Sequence, residues 1–123
     1  MKLVYNAIMT PDGTVLESRH RHDFKQHTDT KSGNTYMIDG GLDYIRTSMY
    51  PDQINLSVYL EDGHDKVRKA VTWGTYGKNG DQPISYVKLC DMETDHIKAC
   101  LKGQPLHPQI KTAFMDEIKF RKE

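Results

Sequence analysis

The sequence has no excess of charge of either sign. Its 123 residues include 17 Lys and Arg against 17 Asp and Glu, so the formal net charge is zero. Proteins that bind long DNA or RNA, or an anionic membrane surface, use a surplus of basic residues to neutralise phosphates. We therefore expect neither a long nucleic acid nor a membrane as a partner.

Long apolar runs and cysteine pairs are also scarce. The mean hydropathy is -0.72, and no run approaches the ~20 apolar residues that a membrane-spanning helix needs. The first apolar stretch meets Asn6 too early for a signal peptide. Cys90 and Cys100 make a poor disulfide framework and suit a reducing compartment. These features predict a cytoplasmic protein, and the length predicts a single domain over residues 1–123.

Turn-forming residues divide the first half of the sequence into hairpins. Pro11 and Gly13 predict a turn between a strand over 3–9 and a strand over 15–22. A second hairpin is predicted from strands over 24–29 and 35–39. After these hairpins, the alternation of apolar residues predicts one half-buried strand over 54–60.

Helical patterns occupy the second half. Apolar residues recur there at helical spacing, and glycine and proline punctuate the pattern. Strands first and helices later predict an α+β fold, with a mainly antiparallel sheet from the N-terminal hairpins and a helical C-terminus. The predicted elements are a helix opening at Asp62 or Gly63, a loop over 73–81, a strand over 84–89, a helix opening at Asp91 or Thr94 and ending at 103–105, and a last helix from Pro108.

The densest polar segment of the chain covers residues 18–27. On a strand, the period of two would place His20 and His22 on one face and Arg19 and Arg21 on the other. One guanidinium group can bind two phosphate oxygens at once, and an imidazole can donate a further hydrogen bond. The segment therefore predicts a site for a small anion, and nearby polar residues that can join it are Asp23 and Arg46.

A metal site is the alternative use of the same histidines. A His-x-His pair can offer two imidazoles to one divalent ion, with His27 or Asp39 as a third ligand. No recognised zinc-ligand spacing accompanies the pair, and a charged edge strand explains it equally well. We predict no metal and no other cofactor.

Aromatic residues in the predicted glycine-rich loop suggest base stacking. Trp73 and Tyr76 follow a helix directly, where core packing is a weaker explanation. Thr75 and its neighbours could present backbone N–H groups to a phosphate, although the loop matches no nucleotide-binding fingerprint. Tyr36 and Tyr44 are interpreted as core aromatics.

Familiar catalytic sets are missing from the sequence. No serine lies in a nucleophile elbow, and the two cysteines fall in or beside predicted core elements. These absences favour a binding protein over an enzyme. Two alternatives stay open. One is a phosphoester hydrolase with His20 or His22 as general base, acting with or without a metal, and the other is an inhibitor that binds a host protein.

Several segments of the sequence resemble a family of small accessory proteins of tailed, T4-like bacteriophages. The segments lie at residues 10–14, 18–24, 37–44 and 73–77, and a C-terminal segment extends over 86–121. No catalytic residues are established for this family, so the resemblance transfers no site. It implies the cytoplasm of an infected bacterium and a role against host defence, either by binding a host protein or by sequestering a nucleotide signal.

Together, these observations predict a protein that captures a small phosphorylated, nucleotide-type ligand. Because the two faces of one strand cannot both meet a ligand, a site completed by a second subunit is expected, and hence a homo-oligomer. The predicted ligand-binding residues are Arg19, His20, Arg21, His22, Asp23, Arg46, Trp73, Thr75 and Tyr76.

Overall fold

The computed structural model describes residues 2–77, 79–103 and 105–122. The chain divides into two compact units, one formed by Leu3–Tyr59 and the other by residues 60–122 together with Lys2. Strands make up the first unit and helices predominate in the second, which confirms the α+β class. Lys78 and Gln104, which belong to the predicted glycine-rich loop and helix end, lie outside the described residues.

The first unit contains two antiparallel sheets. In one of them β1 is central, and it pairs with β2, β6 and β7; in the other, β4 lies between β3 and β5. The inward side chains of Ile8, Leu16, Tyr36 and Ile38 form the core of this unit. The strands are β1 (Leu3–Met9), β2 (Val15–Ser18), β3 (Lys25–Thr28), β4 (Thr35–Asp39), β5 (Arg46–Thr47), β6 (Ile54–Asn55) and β7 (Val58–Tyr59).

The second predicted strand is shorter than expected. We predicted a strand over 15–22, but β2 ends at Ser18 and the chain then turns. The turn is closed by Asp23, whose carboxylate accepts the backbone N–H of Arg19 at 2.8 Å and whose own N–H donates to the His20 carbonyl at 3.0 Å. An aspartate that bonds nearby backbone N–H groups competes with strand pairing, so the segment folds as a turn.

The predicted continuous strand over 54–60 is also wrong. It is divided into β6 and β7, which pair with opposite ends of β1. Between them, the Asn55 side-chain oxygen accepts the Ser57 N–H at 2.9 Å, which bends the chain. The register of β1 against β7 also shifts between Leu3 and Tyr5. The alternation of apolar residues carries no information about pairing partners, so it could not predict the break between β6 and β7.

The second unit combines three helices with a two-stranded ribbon. β8 and β9 pair antiparallel. Helix α3 packs against both α1 and α2, and α1 also contacts β9. Ile97 on α2 and Phe114 on α3 are fully buried. None of the helices in the described part of the chain is both long and apolar enough to cross a membrane. The elements are α1 (His64–Ala70), β8 (Thr72–Thr75), β9 (Ser85–Lys88), α2 (Thr94–Gly103) and α3 (Pro108–Arg121).

Trp73 is half-buried on a strand of this unit and does not lie in a loop. It lies on β8, and its ring centroid is 5.6 Å from that of Phe114, with the planes inclined at 60°. Tilted aromatic pairs at this separation stabilise cores. The predicted loop over 73–81 therefore begins only after Thr75.

A buried carboxylate connects the helices of the second unit. Glu117 on α3 is fully buried and receives hydrogen bonds from Arg68 at 2.8 Å, from Arg121 at 2.7 Å and from His64 at 2.9 Å. Arg68 makes a bidentate contact, because its two nitrogens reach the two carboxylate oxygens. A buried charge is tolerated only when it is paired in this way.

This cluster predicts loss of stability in acid. Burial alone raises the pKa of Glu117, but the hydrogen bonds from Arg68, Arg121 and His64 outweigh it and lower the pKa from 4.5 to about 2. A carboxyl with a lowered folded-state pKa stabilises the fold above its unfolded pKa, and this contribution is lost as the pH falls from 4.5 to about 2. Fluorescence of Trp73, the only tryptophan, should report this loss in pH-dependent unfolding.

The variant Glu117→Gln should lower the free energy of unfolding by about 3 kcal/mol at neutral pH, because it leaves two guanidinium groups without a counter-charge. It should also flatten the pH dependence between 4.5 and about 2. Asp116→Asn, an exposed neighbour on the same helix, is the matched control. An unchanged acid transition in Glu117→Gln would contradict this account.

Candidate functional site

Two loops of the first unit pack against each other. They are the β2–β3 loop (residues 19–24) and the β4–β5 loop (residues 40–45). Ser18 bridges them, since its hydroxyl donates to the Asp23 carbonyl and accepts the Gly41 N–H, both at 2.8 Å. Gly41 has a φ of 56°, and a Cβ placed on it would lie 2.3 Å from the carbonyl carbon of His20. Only glycine permits this approach.

The Asn6 side chain donates hydrogen bonds to backbone carbonyls at the start of the β4–β5 loop. This side chain on β1 is almost fully buried, and its amide nitrogen donates to the carbonyls of Gly41 at 2.9 Å and of Asp39 at 3.3 Å. It also lies 3.5 Å from the carbonyl of Tyr44. A buried amide that binds successive loop carbonyls restricts the loop to one conformation.

A chain of polar contacts runs from the buried end of β4 to the surface. The Arg46 guanidinium lies 3.2 Å from Asp39 Oδ2, and the Tyr44 hydroxyl donates to the same oxygen at 3.3 Å. Tyr44 Oη in turn lies 3.0 Å from Nδ1 of His22. The Asp39 side chain is only 8% exposed, whereas His22 is open to solvent. The chain thus links a buried carboxylate to an exposed imidazole.

The direction of these bonds follows from the donors and acceptors present. Asp39, as the carboxylate that pairs with Arg46, can only accept, so Tyr44 uses its one hydrogen toward Asp39. Tyr44 Oη must then accept from His22 Nδ1–H. In the neutral imidazole, this assignment leaves Nε2 as an acceptor that faces away from the chain.

The backbone of His22 is held in an uncommon conformation. Its φ is 65°, and it is the only residue other than glycine with positive φ in the described part of the chain. The left-handed region costs an L-residue about 1–2 kcal/mol. The adjoining contacts, from Phe24 N–H to the His22 carbonyl at 2.9 Å and from His22 to Tyr44, offset this cost. Strain of this kind is concentrated at functional sites.

Two guanidinium groups lie close to this chain. Burial and the Asp39 carboxylate raise the pKa of Tyr44, whereas the positive charges of Arg46 and Arg21 oppose that rise. Arg21 is exposed, and within the described residues its guanidinium has neither a hydrogen bond nor an ion pair. Of the predicted site residues, the structure therefore links His22 to Arg46 through Tyr44 and Asp39. Arg21 precedes His22 in the same turn and is exposed.

The remaining predicted residues of this segment have local roles. Arg19 pairs with Glu17 at 3.2 Å, and Asp23 accepts Lys25 Nζ at 2.8 Å. His20 Nε2 lies 4.0 Å from Asp23, beside the turn. Because residues 19–22 form a turn, the predicted two-faced strand is wrong, and with it the reason given for a site completed by a second subunit.

The alternative of a metal site at His20 and His22 has no counterpart among the described residues. In residues 2–77, 79–103 and 105–122, the one group of three metal-type ligands is Asp12, His27 and Asp29, whose ligand atoms lie within 4.8 Å of one another. Their oxygens already accept backbone N–H groups, including that of Thr30 at 3.0 Å, and Asp12 binds His27 at 2.8 Å. The hydrogen bond from His27 and those from neighbouring groups lower the pKa of Asp12. The group is saturated as a hydrogen-bonded clamp between two turns.

Trp73, Thr75 and Tyr76 belong to the second unit. Trp73 is held by Phe114, as described, and Thr75 Oγ1 accepts the Gly77 N–H at 3.2 Å. Tyr76 is 57% exposed. Tyr76 is therefore the one of the three with a ring open to solvent.

Sequence reasoning missed three residues that build the site. Asp39 was considered only as a metal ligand and Tyr44 as a core aromatic, whereas both belong to the polar chain that ends at His22. Asn6 was not singled out, although a polar residue in the middle of an apolar strand is a usable signal. A buried amide needs partners, and those partners mark the neighbouring loop.

The contact between the loops predicts unequal effects of two glycine substitutions. Gly41→Ala should lower the free energy of unfolding by about 3 kcal/mol, because it adds a clash with the His20 backbone to the cost of a left-handed φ. Gly33→Ala, at a φ of 76° with nothing within 4 Å, should lose only about 1 kcal/mol. Urea unfolding of both variants measures the difference, and equal losses would refute the close approach.

No family model, no curated protein and no solved structure matches this sequence or this fold. The function must therefore be inferred from the packed loops, the polar chain from Asp39 to His22, and the cations that surround it. The observation that stands out from these is an exposed arginine beside a strained histidine.

Proposed function

We propose that the two packed loops of the first unit bind the phosphate of a small phosphorylated, nucleotide-type ligand. The observation that carries the proposal is the polar chain that links His22 to Arg46 through Tyr44 and Asp39, with the exposed Arg21 next to His22 in the same turn. Among the described residues the Arg21 guanidinium has no partner, so it can bind two phosphate oxygens. His22 adds Nε2, which bonds to none of those residues. The resemblance to phage proteins extends the proposal to capture of a nucleotide signal inside an infected bacterium.

The electrostatics of the loops favour an anion of limited size. The Asp39 carboxylate lies beneath the site, but Arg46 offsets its charge. Arg21 then supplies positive charge at the surface without a local counter-ion in the described residues. Because the net charge of the whole chain is zero, this local excess suits a small ligand and not a long polyanion.

Prior organisation of the loops reduces the cost of binding. The Gly41–His20 contact, the Ser18 bridge and the Asn6 amide hold both loops before any ligand arrives. Less side-chain and loop entropy is then lost when a phosphate binds. The His22 backbone is held in its strained conformation in the same way, by its contacts with Phe24 and Tyr44.

Calorimetric titration with inorganic phosphate, AMP and ADP-ribose tests the proposal. At least one of these probes should bind saturably and be recovered intact after heat denaturation. Arg21→Gln should weaken binding about ten-fold or more, because a charge-assisted hydrogen bond contributes about 1.5–3 kcal/mol. Lys31→Gln, which removes the same charge from an exposed turn of the same unit, should have little effect. No binding, or equal loss in both variants, would contradict the proposal.

A second candidate function, hydrolysis of a phosphoester, is favoured by the tautomer of His22. Because Tyr44 accepts from Nδ1–H, Nε2 of the neutral ring is placed to accept a proton. In such a reaction Nε2 takes a proton from water, the water oxygen attacks phosphorus, and the P–O ester bond breaks. The leaving oxygen then takes the proton back from His22.

Product analysis distinguishes hydrolysis from capture. If the site is a hydrolase, bis(p-nitrophenyl) phosphate should release nitrophenolate, His22→Gln should abolish release, and Tyr44→Phe should reduce it by about 10²-fold or more. His20→Gln, a substitution of the neighbouring exposed imidazole, serves as the control. Turnover that survives His22→Gln, or intact probes throughout, would exclude this second function.

A further inference from the structure

A cavity of about 530 Å³ lies in the second unit, apart from the residues of the proposed phosphate site. Its volume falls within the ~300–1,000 Å³ typical of small-molecule sites. Its wall is built by the end of β8, by β9 and by the chain that leads into α2. The principal lining residues are Thr75, Val87, Asp91, Met92, Glu93 and His96.

The lining combines apolar and acidic groups. Val87 and Met92 provide an apolar wall, and Met92 is almost fully buried. The side chains of Asp91 and Glu93 are exposed, and within the described residues neither makes a hydrogen bond or an ion pair. Unpaired carboxylates attract a cation, and the side chains of Met92 and Val87 favour an aliphatic group. The cavity therefore suits a ligand that carries both a positive charge and an aliphatic chain.

Helix stabilisation accounts for only part of this arrangement. Acidic residues before a helix interact favourably with its N-terminus, and Glu93 and Asp91 precede α2. That effect requires neither a cavity nor apolar residues in the same lining as the carboxylates. The cavity is thus an observation separate from the acidic residues, and it is the cavity that indicates a ligand.

The spacing of the groups disfavours a bare metal ion. Asp91, Glu93 and His96 do not form a group of ligand atoms within 4.8 Å, a criterion that Asp12, His27 and Asp29 meet elsewhere in the described chain. Groups that line one cavity without converging on a point suit a ligand with several atoms. A phosphate is also disfavoured, because both carboxylates would repel it.

We propose that this cavity binds a small aliphatic amine. Its ammonium group lies between the carboxylates of Asp91 and Glu93, and its methylene chain packs along Met92 and Val87. The imidazole of His96 offers a further acceptor at the wall. The proposal is independent of the phosphate site, because it rests on different residues in a different unit.

Titration of the full chain with 1,4-diaminobutane, followed by amide NMR shifts, tests this proposal. The shifts should saturate and concentrate at residues 87–97. Butane-1,4-diol, which has the same carbon chain without the charge, should produce none. Binding of the diol with equal affinity, shifts spread over the whole surface, or an absence of saturable binding would overturn the proposal.

Two double variants separate the site from general charge attraction. Asp91→Asn with Glu93→Gln should weaken diamine binding about ten-fold or more. Asp65→Asn with Asp116→Asn removes the same net charge from exposed helix positions of the same unit and should change the affinity less than about two-fold. Equal weakening in both would overturn the proposal, and thermal unfolding checks that each variant is folded.

Discussion

The close contact between Gly41 and the His20 backbone is the constraint on which the candidate phosphate site depends. It exists because a left-handed glycine has no Cβ to keep the loops apart, and because Ser18 satisfies polar groups on both sides of the contact. With the loops joined, Tyr44 from one can meet His22 from the other. Without that contact the same residues would belong to two unrelated turns.

The net charge of this protein is zero, but some of its charged side chains are paired and others are not. In the first unit, Asp39 is paired with Arg46, whereas the exposed Arg21 makes no ion pair among the described residues. In the second, Glu117 is enclosed by cationic side chains, whereas Asp91 and Glu93 face a cavity without a partner in the described chain. Paired charges stabilise the fold, and unpaired ones at a cavity or an ordered loop are available to ligands.

Local turn chemistry and long-range pairing explain where sequence reasoning succeeded and failed. Pro11, Gly13 and Pro108 act through their own backbone preferences, so the first hairpin and the last helix could be predicted. The end of β2 depends on the Asp23 side chain bonding Arg19, and the break between β6 and β7 depends on their partners along β1. Periodicity carries no information about such partners.

The sequence by itself determined the α+β class, the first hairpin, the last helix and the presence of a local cluster of arginine and histidine. These follow from backbone propensity, apolar period and composition, which act over a few residues. Only the tertiary structure decided that His22 and Arg46 are linked through Tyr44 and Asp39, that Trp73 packs on Phe114, and that Asn6 and Gly41 hold the loops. Those outcomes depend on contacts between residues distant in the chain, where burial selects one hydrogen-bonded arrangement among many.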